Sequence, residues 1–218
     1  MLKTTNDNVR ELELRPRERN KLDKLRRIKT AARELFLEQG YDNATTREIA
    51  RRADVGLGTL FSYASDKRDL LFLIYNDIQE ELTRKAFATL PGERAFLRQV
   101  MTSFAVYYRF FASEPEFMRY VLRELTFYSS GRQAERFQTG REAIISGLER
   151  LVRNAKNRRA LRTRTRDRVI AQLMFGVYQA EIRRWLTVGT PKPAAGLARL
   201  RAMLRIVIEG LKPGSGAV

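Results

Sequence analysis

The chain has no cysteine and no histidine in its 218 residues. Without cysteine there is no disulfide framework and no thiol chemistry. Without both, Ser-His-Asp and Cys-His nucleophile systems and the usual zinc sites are excluded. An enzyme built on this sequence would have to work with carboxylates, lysine or tyrosine. Long hydrophobic runs are missing too, since no segment approaches the ~20 apolar residues that span a bilayer. The opening MLKTTNDNVRELELRPRERN is too polar for a secretory leader. The expectation is a cytoplasmic protein with no membrane partner, no cofactor and no metal.

What is there is a core and a surplus of positive charge. Hydrophobic residues make up 44% of the chain, enough to bury an interior. The formal net charge is +17, from 42 Lys and Arg against 25 Asp and Glu. Such an excess favours polyanionic partners. It is unevenly spread: residues 1–85 hold 18 basic and 15 acidic side chains, and residues 86–218 hold 24 and 10. Total charge therefore does not by itself place a nucleic-acid site in the first segment.

The apolar spacing is helical throughout, with no β-alternation and no internal repeat. It predicts an all-α chain of about nine helices. Residues 1–16 read as a flexible basic arm, and Pro16 suits a first helical turn. Leu22, Leu25, Ile28, Ala32, Leu35 and Phe36 stripe a helix over 17–39, which Gly40 closes in the left-handed conformation. Beyond Pro91-Gly92 the stripes predict helices over 93–112, from Pro115 to a break at Gly131, and over 133–157, 165–188 and 194–211. The domain organisation expected is an arm (1–16), a head (17–86), a body (87–212) and a disordered tail (213–218).

The segment from Thr45 to Lys67, TTREIARRADVGLGTLFSYASDK, is the most informative. Thr45 and Glu48 have capping-box spacing at the start of a short helix. Asp54 occupies a tight turn, where Asp tolerates left-handed backbone, and Val55 plugs it. A second short helix runs over 57–63, and Gly58 within it, a poor helix former, lets backbone approach something bulky. Ile49, Val55, Leu60 and Phe61 are assigned to the core. A further helix over 67–86 turns Leu70, Leu71, Ile74, Ile78 and Leu82 inward. This is a helix-turn-helix with its supports, a unit that inserts its second helix into a DNA major groove.

Over about residues 26–82 the chain resembles the tetracycline-repressor-like (TetR/AcrR) family of transcription regulators. The resemblance is carried by AARELFLEQGYDNATTREIARRADV and GLGTLFSYASDKRDLL. Residues 90–218 match the family only in helix number and length. Asp54 stands where the family often has Gly, Phe61 where it often has Tyr, and Ala64 where it often has Phe. The Phe61 exchange puts a phenolic phosphate contact in doubt.

The resemblance implies a DNA-binding set of Thr45, Thr46, Arg47, Gly56, Leu57, Gly58, Thr59, Ser62, Tyr63 and Lys67. Arg47 would read guanine bidentately. Thr59 would meet a thymine methyl or a phosphate, and Thr45, Thr46 and Tyr63 would meet phosphates. Lys67 opposes its own helix dipole and is better explained by a phosphate. The arm's Arg10, Arg15, Arg17, Arg19 and Lys21 suit a narrow minor groove, nonspecific attraction or plain solvation.

One head reads few base pairs, so a two-fold homodimer is expected, with Val169, Leu173, Val177, Leu200, Leu204 and Val207 at its interface. Intrachain core is the alternative for the same stripes. The aromatic residues Phe104, Tyr107, Tyr108, Phe111, Tyr120, Phe127, Phe137, Phe175 and Tyr178 are expected around a pocket for a small-molecule effector, apolar or acidic. The Arg-rich stretch 150–168, nine basic residues and one acidic, would suit an acidic effector such as a coenzyme A thioester, or a solvated loop.

The expected function is a ligand-responsive DNA-binding transcription regulator, a repressor bound to double-stranded DNA, with no catalysis. The competitors are a sequence-tolerant architectural DNA protein, a non-DNA-binding interaction module, and a helical enzyme using Glu114 or Glu116.

Overall fold

The computed structural model describes residues 15–88, 95–187 and 189–210. Among the described residues there are nine helices and no strand. They are α1 (Pro16–Glu38), α2 (Thr46–Arg52), α3 (Leu57–Phe61), α4 (Lys67–Phe87), α5 (Phe96–Ser113), α6 (Pro115–Glu124), α7 (Ala134–Asn157), α8 (Asp167–Leu186) and α9 (Pro193–Gly210). Most of the arm, the Pro91-Gly92 boundary and the tail lie outside the described residues. The chain divides into two compact units, Met1–Ile74 with Ser130–Gln133, and Tyr75–Ser129 with Ala134–Val218. The division falls inside α4 rather than near residue 86, and it assigns the four residues before α7 to the first unit.

In the first unit, Pro16 opens α1 and the Glu18 carboxylate reaches back to the Arg15 N–H at 3.3 Å. Gly40 ends the helix at φ +82°, a conformation that costs glycine nothing. The inner stripe of α1, from Ile28 to Phe36, is buried with Ile49, Ala50, Leu60, Leu70 and Leu71. Thr45 caps α2 by accepting the Glu48 N–H at 3.2 Å, while the Glu48 carboxylate accepts from Gln39 Nε2 at 2.7 Å. Asp54 takes φ +49°, as its place in the turn requires. Arg27 of α1 staples that turn by donating to the Ala53 and Asp54 carbonyls at 2.9 and 3.1 Å. Phe61 corrects the expectation of a core residue, since it lies 36% exposed at the end of α3.

In the second unit α7 packs along α8, and α9 packs on both α5 and α8. The closest approach is at Gly196 of α9. A Cβ there would collide with Tyr108 Cε1 and lie 2.7 Å from Trp185 Cδ1. Arg119 of α6 donates to the Leu186 and Gly189 carbonyls, both at 3.0 Å, and so holds the end of α8.

Candidate nucleic-acid interface

The face formed by the start of α2 and by α3 is open. Arg47, Thr45, Gly56, Gly58 and Ser62 are exposed or nearly so, and Thr46, Leu57, Thr59, Tyr63 and Lys67 lie at the same surface. A Cβ at Gly56 or Gly58 would meet nothing within 4 Å. Among the described residues nothing uses the space that Gly58 leaves, and that space is available to an outside partner.

Several polar groups on this face already have work within the head. The Thr45 hydroxyl caps α2. Ser62 Oγ donates to the Thr59 carbonyl at 2.6 Å, and the Tyr63 hydroxyl donates to the Lys21 carbonyl at 3.1 Å, tying it to α1. Lys67 is also accounted for. Its ammonium donates to the Asp42 carbonyl at 2.9 Å and lies 4.9 Å from the Tyr41 ring centroid. The lysine to which the resemblance gives a phosphate therefore has partners within the head as well, and an ammonium with three donors can still meet one. Arg52 is a structural residue, paired with Glu34 at 3.2 Å and with both oxygens of Glu38. Arg47 stands clear on the surface near the start of α2.

Beside α3 a groove of about 1180 Å³ is bordered by Arg17, Lys21 and Lys24 of α1, by Thr59, Ser62 and Tyr63, and by Arg132 and Gln133. Its cations outnumber its one carboxylate, Glu18. Arg132 and Gln133 have no counterpart among the expected site residues, because in the sequence Gly131 reads only as a helix break. No local signal joins them to a turn some seventy residues earlier.

Residues 28–74 match the family described as bacterial regulatory proteins, tetR family. Over that stretch, the head of the chain matches the tetR family. The HTH-type transcriptional regulator HbdR of Aromatoleum sp. (strain CIB) is 40% identical over 72 residues, covering 31% of each chain. The match thus spans about a third of that regulator's length. Among solved structures, Thermus thermophilus FadR, a TetR-family transcriptional repressor in complex with lauroyl-CoA, aligns with a TM-score of 0.67 at 23% identity. That alignment covers 89% of this chain and 98% of FadR. Bacillus subtilis FadR in complex with stearoyl-CoA gives 0.67 at 16% identity, over 84% and 97% of the two chains. At these identities the structural likeness establishes a shared fold.

In the second unit, the expected effector residues separate into two groups. Phe104 stacks on Tyr178 at 4.5 Å between centroids, and Tyr107, Tyr108 and Phe175 pack around the same ring. Phe111 and Phe137 are buried as well, and Tyr120 is half-buried. Burial pushes the Tyr75, Tyr107, Tyr108 and Tyr178 phenols well above their ordinary range. Phe127 contradicts the expectation outright: it is 92% exposed at φ +58°, in a turn beyond α6. Tyr108 Oη and Gln79 Oε1 are buried without a hydrogen-bond partner among the described residues.

The roomier space lies elsewhere, in a cleft of about 540 Å³ between the end of α4 and α7. Phe87, Gly140 and Ala143 make it apolar, and Thr83, Ser146, Glu80, Arg84 and Arg150 also line it. Thr83 Oγ1 is 2.9 Å from the Tyr107 hydroxyl. The signal for this cleft was the small-residue series Gly140, Ala143 and Gly147 on one face of α7.

Leu200 and Leu204 correct the interface expectation, for both are fully buried inside their own chain. Val169 and Leu173, 50% and 48% exposed, remain on the surface with half-buried Val177 and Val207.

Proposed function

We propose that the protein is a homodimeric transcription regulator of the cytoplasm, a repressor that leaves a palindromic operator when a small-molecule effector binds. The observation that carries the reading is the open face of α2 and α3. It presents Arg47, Thr59 and two glycine-cleared positions next to a groove bordered by cations. In this reading α3 lies in the major groove, Arg47 contacts a base edge, and residues of α1 and the arm attract phosphates. The first unit is the DNA-binding domain, and the second holds the effector and the dimer contact.

Dimerisation is supported by the apolar stripe left uncovered on α8 and α9. Val169 and Leu173 lie one turn apart on α8, half exposed, and Ile206 of α9 is 71% exposed. Two copies of α8 and α9 would close it as a four-helix contact. Capture of random duplexes on the purified protein, followed by sequencing, tests the whole reading. The expected result is a palindrome with half-sites about 34–36 Å apart. Uniform retention of unrelated duplexes would favour the architectural alternative.

For the effector, the cleft beside Gly140 has the character needed by an acyl chain with an anionic head. Phe87, Gly140 and Ala143 line it with apolar surface, and its two cations, Arg84 and Arg150, outnumber its one carboxylate, Glu80. The fold neighbours bound to lauroyl-CoA and stearoyl-CoA make an acyl-CoA the first compound to try. The exposed Arg158, Arg159 and Arg162 are the alternative seat for its phosphates. Calorimetry with stearoyl-CoA should show binding that Arg150→Ala weakens. Equal binding by an Arg158/Arg159/Arg162→Ala variant would remove that stretch from the effector site.

A further inference from the structure

We infer that the segment Ser130–Gln133 is a built part of the DNA-binding unit, and that Arg132 is a phosphate ligand delivered to it from outside the helix-turn-helix. The inference rests on the DNA-binding reading above. The segment is fixed to the head by a buried acid. Asp69, 1% exposed, accepts the N–H of Ser65 at 2.7 Å, of Arg132 at 2.8 Å and of Gln133 at 2.9 Å. A carboxylate taken out of water needs such donors, and two of these three come from this distant stretch. Gly131 makes the approach possible. It sits at φ +112°, and a Cβ on it would lie 2.6 Å from Asp69 Oδ1.

The anchored side chains then act on the recognition helix. Arg132 Nε donates to the Phe61 carbonyl at 2.9 Å, and Gln133 Nε2 donates to the Tyr63 carbonyl at 3.0 Å. These carbonyls end α3 and its exit turn, so the segment supplies the partners that helix ends need. With Nε so engaged, the guanidinium is held by one edge while the side chain remains exposed in the groove. Arg17, Lys21 and Lys24 face the same groove from α1. A sugar-phosphate backbone running past the exposed face of Thr59 and Ser62 would meet this fork of donors, which suits a phosphate better than a point charge does. The cation also stands at the carbonyl of Phe61, whose ring has no hydroxyl to offer a phosphate.

The test compares wild type, Arg132→Gln and Arg132→Lys in the full chain, on the duplex recovered by selection and on an unrelated one, between about 50 and 200 mM salt. Glutamine keeps an N–H for the Phe61 carbonyl and loses the charge. It should weaken both duplexes alike and make the plot of log affinity against log salt shallower by about 0.9 for each phosphate no longer neutralised. Lysine should restore most of the slope. If Arg132→Gln binds both duplexes with wild-type affinity and slope, Arg132 is no phosphate ligand. Weaker binding at an unchanged slope also overturns the inference, because it leaves only a positioning role. A wild type that retains neither duplex at low salt instead overturns the DNA-binding reading itself.

Discussion

The Lys67 ammonium donates to the Asp42 carbonyl at 2.9 Å, with the Tyr41 ring beside it. The start of α4 is thereby tied to the loop that follows α1. The same cation is the residue that the family resemblance marks as a phosphate ligand, so two roles compete for one charge. They separate by substitution. Lys67→Gln keeps a polar donor, one methylene shorter, and loses the charge. The salt slope of its DNA binding should fall by about 0.9 per phosphate that the lysine had neutralised, whatever its melting temperature does. Lys67→Ala should lower stability too, by about 1 kcal/mol. An unaltered slope in the glutamine variant would make Lys67 a structural residue alone.

The uncovered stripe on α8 gives a second prediction. Leu173 is 48% exposed and Val169, one turn earlier, 50%. If two copies meet there, Leu173→Glu places like charges against each other across the two-fold axis. Sedimentation should then show a monomer with the same helix content as wild type. Operator affinity should fall by orders of magnitude because two linked heads have become one. A variant that stays dimeric moves the contact to another face.

Helix placement was legible because it depends on local chemistry. Pro16, Gly40, Thr45, Asp54 and Pro115 each act within a turn or two of themselves, and most observed ends lie within a few residues of those expected. Phe61 misled because its apolar character suggested burial, yet the five-residue α3 leaves it at an edge. Leu200 and Leu204 misled for the opposite reason. A helical stripe announces that a face is covered, not whether its own chain or a second copy covers it. The aromatic series suggested a cavity, but stacking Phe104 on Tyr178 fills volume that those rings could have enclosed. Asp69 and Arg132 were invisible because their relationship spans 63 residues.

Tyr108 provides a third prediction. It is fully buried, its ring lies 4.7 Å from that of Trp185, and its hydroxyl has no partner among the described residues. Removing an unsatisfied buried hydroxyl while keeping the ring relieves desolvation without opening a cavity of consequence. Tyr108→Phe should therefore be neutral or more stable by up to about 1 kcal/mol in urea titrations. An effector that reaches this phenol would bind the variant less tightly, and that combination would place Tyr108 in the ligand site. A destabilisation of more than about 1 kcal/mol without effector would show that the hydroxyl is satisfied after all.

The last prediction concerns acid. Both Glu38 oxygens accept from the Arg52 guanidinium, at 2.5 and 2.7 Å, joining the end of α1 to the end of α2. Those hydrogen bonds hold the Glu38 carboxyl below its ordinary range, opposed by slight desolvation and assisted by the charge of Arg52. A carboxyl whose value is lower folded than unfolded stabilises the fold fully above the unfolded value, about 4.3. That contribution fades as pH falls through the lowered folded value. The pair is open to solvent, so the effect is small. Glu38→Gln should melt slightly below wild type near neutrality, and the gap should close progressively as the pH drops below about 4.3. Thermal melts followed by circular dichroism across that interval measure it. A gap of constant size would mean that Glu38 supports the helix junction by shape rather than by charge.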